Sequence, residues 1–188
     1  MSSETASAPS LPTTGTWAVD PIHSTVGFRI KHHAVGTFQG FFAQFEAEFD
    51  AAAGTLNGSA VAASVEVFEM LQKHLLSPDF FDAEANPKIT FESTSLTAEG
   101  GVLTVEGNLT LRGVTKAVTA RGSYLGPSKV AGAGGHPDSK RLGFDLAFDI
   151  DRRDYGIMFN NELLDGQLNL GWDVTLEFSL EFSAPLDA

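Results

Sequence analysis

The sequence predicts an all-β protein: eight antiparallel strands closed into a barrel, with a short helix over about residues 68–77 at one end. Three observations predict it. From Gly15 onward, apolar and polar residues mostly alternate with a period of two, the pattern of strands with one dry and one wet face. Turn-like segments separate most runs: AVG (34–36), DAAAGTLNG (50–58), AEGG (98–101) and RGVT (112–115). Connections that short make consecutive strands antiparallel neighbours. Finally, several runs reach ten to thirteen residues, whereas turn signals in a sandwich recur every ~8–12 residues.

The elements follow in order. Val26, Phe28 and Ile30 alternate with Thr25, Arg29 and Lys31. Residues 37–49 read as one strand, with Phe41, Ala43, Phe45, Ala47 and Phe49 on one face. Val61, Ala63, Val65 and Val67 make the third run, and Ile89 with Phe91 the fourth. Leu103, Val105, Leu109 and Leu111 mark the fifth; Val118, Ala120 and Tyr124 mark the sixth. The seventh carries Leu142, Phe144, Leu146, Phe148 and Ile150, and the eighth runs from Trp172 through Val174, Leu176, Phe178 and Leu180 to Phe182. Glu46, Glu48, Asp50, Glu66, Glu92 and Glu106 all fall on the polar side, as do Asp145, Asp149, Asp151, Asp173, Glu177 and Glu181. A slip of one residue would bury them, so they form a solvated face rather than a carboxylate site.

One segment changes period. Phe68, Leu71 and Leu75 stand at helical spacing in FEMLQKHLL, and Pro78 stops the run. Leu71, Leu75, Phe80 and Phe81 are then expected to plug one end of the barrel. Residues 128–140 read as a polar, glycine-rich loop, and 159–171 as a lid or an added short hairpin. The first fourteen residues lack the basic and apolar regions of a secretion signal. They read as a disordered tail (1–14) ahead of one barrel domain (15–188), and the expected location is the cytoplasm.

Thirteen residues at ~3.3 Å each, tilted by ~40°, give a barrel roughly 33 Å tall. Eight strands of that height can enclose one elongated ligand. The candidate cavity lining is Phe28, Ile30, His32, Phe41, Phe45, Phe49, Phe91, Phe144, Phe148, Val174 and Phe178. Aromatic rings at these positions fill a core equally well, so alternation does not separate a hollow barrel from a packed one.

Composition narrows the function. Acidic residues outnumber basic ones 24 to 12, a net charge of −12, which repels nucleic acid and anionic membrane surfaces. No apolar run is long enough to span a bilayer. With no cysteine there is neither a disulfide nor a thiolate metal site. His23, His32, His33, His74 and His136 form no H-x-x-x-H pair, and His32 and His33 would point to opposite faces of a strand. No metal or cofactor is expected. Neither G-x-S-x-G nor G-x-G-x-x-G is present, so no catalytic residue is assigned and the chain is read as a non-enzyme. Arg152 and Arg153, beside Asp154, either brace a turn or contact a ligand head group, since guanidinium matches phosphate. His32 is a second candidate polar contact. Two alternatives stand beside the binding reading: a metal-dependent enzyme acting on a small amphiphile, and a filled-core structural or stress protein.

Several motifs sharpen the picture. W-x-x-D-x-x-H-S is carried by Trp17, Asp20, His23 and Ser24. H-L-x-S-x-D-F-F-D runs through His74, Leu75, Ser77, Asp79, Phe80, Phe81 and Asp82. Pro87, Ile89, Phe91 and Ser93 give P-x-I-x-F-x-S, and Gly107 to Lys116 give G-x-L-T-L-R-G-V-T-K. Arg152 or Arg153 with Asp154, Tyr155 and Gly156 gives R-x-D-[YF]-G. In this order, over residues 15–184, the set resembles the YceI-like proteins, a lipocalin-like family of polyisoprenoid-binding proteins. The resemblance implies a barrel around a pocket for a long isoprenoid (polyprenyl or quinone-like) or related amphiphile. It also implies transport, storage or sequestration without catalysis, and a homodimer. The chain departs from the family in lacking the secretion signal many relatives carry, and in a longer 128–140 segment.

Overall fold

The computed structural model describes residues 10–132 and 137–186. Residues 1–9 of the expected tail, and His136, lie outside the described residues. The strands are β1 (Thr16–Val19), β2 (Thr25–His32), β3 (Gly36–Phe42), β4 (Phe45–Asp50), β5 (Thr55–Val61) and β6 (Val65–Glu66). After helix α1 (Glu69–Leu76) come β7 (Lys88–Glu99), β8 (Val102–Leu111), β9 (Val114–Val130), β10 (Ser139–Asp151) and β11 (Leu170–Pro185).

Every strand pairing is antiparallel, and the pairings close on themselves. β11 bonds to β10 along one edge, and to β1 and then β2 along the other. β1 and β2 therefore lie end to end. β3 and β4 lie end to end beside them, since β2 pairs with β3 and β1 with β4. β5 and β6 continue the same way. The remaining order, β5–β7–β8–β9–β10, completes the ring, so the described strands form a closed barrel of eight staves. This matches the fold predicted from alternation.

The broken staves correct the expected registers. In β3 the even residues Phe38, Gly40 and Phe42 turn inward, whereas in β4 the odd residues Phe45, Ala47 and Phe49 do. The irregular pair Ala43–Gln44 absorbs the change of parity. Its neighbour, the 3-10 turn Ala62–Ser64, interrupts the adjoining stave at the same height. The two breaks bond to each other: Ser64 Oγ accepts from Gln44 N at 3.0 Å, Ser64 O from Ala43 N at 3.0 Å, and Gln44 O from Val61 N at 2.9 Å. Phe41 is consequently not a lining residue. It is 47% exposed, with its ring over Gly27 on the outer wall. Ala63 is likewise exposed rather than inward. The expected turn at 50–58 shrinks, because Thr55–Val61 is strand. The expected loop at 128–140 also shrinks, since β9 reaches Val130 and β10 starts at Ser139.

One end of the barrel is solid. Trp17, Phe49, Phe144 and Phe182 are buried there, with ring centroids 5.2 Å apart for Phe49–Phe144 and 5.3 Å for Phe144–Phe182. Above this floor a polar knot closes the gap between β1 and β2. Asp20 accepts from Ile22 N (3.0 Å) and Arg141 Nη1 (2.6 Å) and pairs with His23 Nδ1 (3.0 Å). Arg141 also reaches Glu181 at 3.1 Å, and Ser24 Oγ accepts from Glu181 N at 2.8 Å. The W-x-x-D-x-x-H-S motif is thus the seam that joins the first stave to the last.

Two outcomes are expected. Phe144→Ala, in the packed floor, should lower the unfolding free energy by ~3–5 kcal/mol in denaturant titrations. Phe38→Ala, half-buried higher in the barrel, should cost less than half as much. Second, burial alone would raise the Asp20 pKa, but its bonds from His23, Arg141 and Ile22 N outweigh that and hold it at about 2. A carboxylate with a depressed folded pKa stabilises the fold above its unfolded value, and that contribution is lost as pH falls. Stability should therefore drop by roughly 1–2 kcal/mol between pH 4 and pH 2 on account of Asp20. Asp20→Asn should be destabilised at pH 7 and show a flatter profile over that window.

Candidate functional site

The antiparallel order gathers four connections at the end opposite the aromatic floor: the β2–β3 turn at 33–35, the β6–β7 segment carrying α1, the β8–β9 turn, and the β10–β11 segment. Together they form a mouth. α1 has Glu69 in its first turn and Lys73 and His74 in its last, charges that suit the helix dipole. Ser77 closes it by donating Oγ–H to His74 O at 2.7 Å. The chain then doubles back, with Phe81 N bonded to Leu75 O (2.9 Å) and Asp82 N to Ser77 O (2.9 Å). This drives Phe80 and Phe81 inward. Arg112 tethers the fold-back by donating Nη1–H to Pro78 O (2.8 Å) and Phe80 O (2.7 Å). The H-L-x-S-x-D-F-F-D motif therefore encodes a plug, and Arg112 of the G-x-L-T-L-R-G-V-T-K motif holds it in place.

Between plug and floor lies a cavity of about 270 Å³, close to the small end of the roughly 300–1,000 Å³ common for ligand pockets. The expected plug residues Leu71, Leu75, Phe80 and Phe81 all border it. So do Phe28, Ile30 and His32 from β2, Phe91 from β7, Phe148 from β10, and Val174 and Phe178 from β11. Phe45 packs against the core cluster without lining the cavity, and Phe49 and Phe144 belong to the floor. Phe38, Phe42 and Phe159 line it but escaped the sequence reading. The Phe41–Phe42 doublet carried the signal for the first two, since both rings cannot face inward in one regular strand. Phe159 stands in an irregular segment, where periodicity says nothing.

The walls are largely aromatic. Phe28 lies 6.2 Å from Phe38 and 6.0 Å from both Phe42 and Phe81. Gly40 makes room for this group, because a Cβ there would sit 2.7 Å from the Phe28 ring. Opposite, Phe148 stacks on Phe178 at 5.7 Å. His74 stands edge-on between Phe80 (4.9 Å) and Phe159 (4.7 Å), and its Nε2 pairs with Asp79 at 3.2 Å.

Several polar residues reach the mouth. His32 and His33 do not point to opposite faces. The strand ends at His32, and the left-handed backbone of His33 (φ 51°) brings the two rings into a stack at 3.7 Å. Burial, then the nearby His33, lowers the His32 pKa, so it is neutral at pH 7. Arg152 is 2% exposed and lines the cavity. It donates Nε–H to Gly171 O (2.8 Å) and Nη1–H to Ile157 O (2.9 Å) and Phe159 O (2.8 Å). Its guanidinium also lies 4.3 Å from the Trp172 ring. Arg153 is the correction here: it turns outward onto Asp151 and does not border the cavity. Asp154 pairs instead with Lys116 at 3.9 Å. The 159–171 segment forms the small hairpin expected as one option, through a Glu162–Leu168 bridge and a Leu163 N to Gln167 O bond of 2.7 Å. Leu164 at its tip is fully exposed rather than packed down.

Asp20, His23 and Glu181 bring ligand-type atoms within 4.8 Å of one another at the seam. No local spacing could reveal a group that spans nearly the whole chain. Arg141 already sits on both carboxylates there. No described helix is long and apolar enough to cross a membrane.

Comparison with known proteins agrees with this architecture. Residues 17–182 match the sequence profile of the YceI-like domain. A UPF0312 protein of Staphylococcus aureus is 36% identical over 173 residues, and one of Staphylococcus epidermidis is 35% identical over 170. Each comparison covers 87% of this chain and 95% of the relative. The crystal structure of Burkholderia cenocepacia BcnA has a TM-score of 0.68 at 25% identity, covering 87% of this chain and 98% of that one. A polyisoprenoid binding domain from Saccharophagus degradans, implicated in plant cell wall breakdown, shares the fold at a TM-score of 0.66 and 15% identity, covering 90% and 98% of the two chains. On the profile match and the staphylococcal relatives, this chain belongs to the YceI-like family.

Proposed function

We propose that the protein is a non-catalytic carrier that holds the apolar tail of a long isoprenoid, or a related amphiphile, in the upper half of its barrel. The cavity is the observation that carries this reading. It is walled by Phe28, Ile30, Phe91, Phe148, Val174 and Phe178, closed below by aromatic rings and covered above by α1 and its fold-back. Each methylene moved from water into such a space contributes ~0.8 kcal/mol. The ordering of a flexible chain offsets part of that gain. The description of the Saccharophagus degradans domain as polyisoprenoid-binding supports the same reading through its fold. A packed floor at one end and a polar mouth at the other orient the ligand, tail inward and polar end beside Arg152 and His32.

Native mass spectrometry and organic extraction of the purified protein should reveal a long apolar molecule, and stripped protein should take up farnesol. Stripped protein that takes up no isoprenoid, from a preparation that carried none, would refute the proposal. Ala60→Phe directs a ring from β5 into the cavity. Retention should fall about tenfold, while the unfolding free energy changes by no more than ~2 kcal/mol.

A further inference from the structure

Arg152 is the one arginine or lysine among the described residues that line the cavity. Its Nε and Nη1 are spent on three backbone carbonyls, but Nη2 is buried with no hydrogen-bond partner. Among the described residues no carboxylate forms an ion pair with it; the nearby charge of Asp151 favours its charged form, but that carboxylate is bonded to Arg153. Burial draws its pKa down to about 10, which still leaves it charged at neutral pH. A second lining residue, Asn169, has its Oδ1 buried and likewise without a partner. The fold thus buries a guanidinium with an unpartnered Nη2, on a residue that borders an apolar cavity, an arrangement that is costly unless something completes it.

We propose that the ligand's polar end is a singly charged oxyanion that accepts from the free Nη2 edge of Arg152. This rests on the reading that the cavity holds an amphiphile. The charge count sets the class. Of the other titratable lining residues, Glu46 is exposed with the polar face of β4, His32 is shifted toward its neutral form and His74 is bonded to Asp79, so the guanidinium is the charge left for the ligand and one negative charge balances it. A diphosphate would bring further charges with no cation to meet them. The Trp172 ring over the guanidinium and the three carbonyls hold the fork in place, so that only one edge is on offer. A carboxylate has this chemistry at neutral pH, and a phosphate monoester has it as the monoanion, below its second pKa of about 6.

The test uses the full chain and a neutral fluorescent probe, N-phenyl-1-naphthylamine, displaced by ligands of equal tail length below their micelle concentrations. Dodecanoate should displace it at about one tenth of the concentration needed for dodecanol, as a charge-assisted hydrogen bond predicts. Dodecylamine should be the weakest. A dodecyl phosphate arm, run beside dodecanoate at about pH 5.5 where the phosphate monoanion prevails, separates the two sources: whichever anion displaces at lower concentration names the head group. In Arg152→Met the dodecanoate-to-dodecanol ratio should collapse to about one, while Arg152→Lys, which keeps the charge, should retain part of it. Equal displacement by dodecanoate, dodecanol and dodecylamine on the wild-type protein overturns the inference, and would follow if Nη2 and Asn169 Oδ1 close on each other. An Arg152→Met loss equal across all ligands also overturns it, leaving Arg152 as a brace for its loop. Because the wild-type series needs no variant, a failure of Arg152→Met to fold does not remove the test. If the probe does not bind and no ligand does, it is the carrier reading itself that fails.

Discussion

Everything in this molecule depends on β11 being hydrogen-bonded along both edges. Its register with β10 runs unbroken from Asp151–Asp173 to Ser139–Pro185. Its other edge carries β2 and then β1. Among the described strands closure gives every stave a neighbour on both sides, which limits the edge left for another chain to pair with. It also turns every inward side chain toward one axis, which a split pair of sheets would not do. The first and last staves meet far apart in sequence, and the polar knot of Asp20, His23, Arg141, Ser24 and Glu181 sits where the first stave is interrupted.

Within that ring, side-chain size decides where the interior is solid and where it is hollow. At the floor, Trp17, Phe49, Phe144 and Phe182 converge from four strands and fill the cross-section. Higher up, Ala47, Gly58, Ala60 and Ala120 leave space that the neighbouring rings do not reach. The barrel is thus hollow toward the mouth and packed toward the floor. Ordered packing below gives the upper walls a fixed shape, so space above need not come at the expense of a defined fold.

The mouth is built on different physics. Outside α1 its segments follow no period, and they are positioned by side chains that reach for backbone carbonyls. Arg112 holds the fold-back after α1, and Arg152 holds the segment after β10. Irregular backbone needs such partners, because its carbonyls lack the ladder that satisfies them in a strand. Arg152 differs from Arg112 in being buried at the cavity wall with part of its donor set unused. In the proposed carrier, that unused part is what ties the architecture of the mouth to the chemistry of a ligand.

The sequence by itself determined the class of fold, the eight-fold alternation, the helix near 68–77 and a part of the residues that border the cavity. Each of these follows from periodicity, and a period of two or of 3.6 survives in any context where one face is dry. Tertiary structure alone decided the rest. The parity switch at Ala43–Gln44, signalled in the sequence only by the Phe41–Phe42 doublet, is fixed by Ser64 on the neighbouring stave, and it moved Phe41 out and Phe42 in. The stacking of His32 on His33 depends on a left-handed turn rather than on strand alternation. The different fates of Arg152 and Arg153, one buried at the cavity and one paired with Asp151 outside, come from a 3-10 turn and from carbonyls of a later segment. Alternation reports which side of a strand is dry; it carries no information on how far the side chains opposite extend, and that distance separates a cavity from a core.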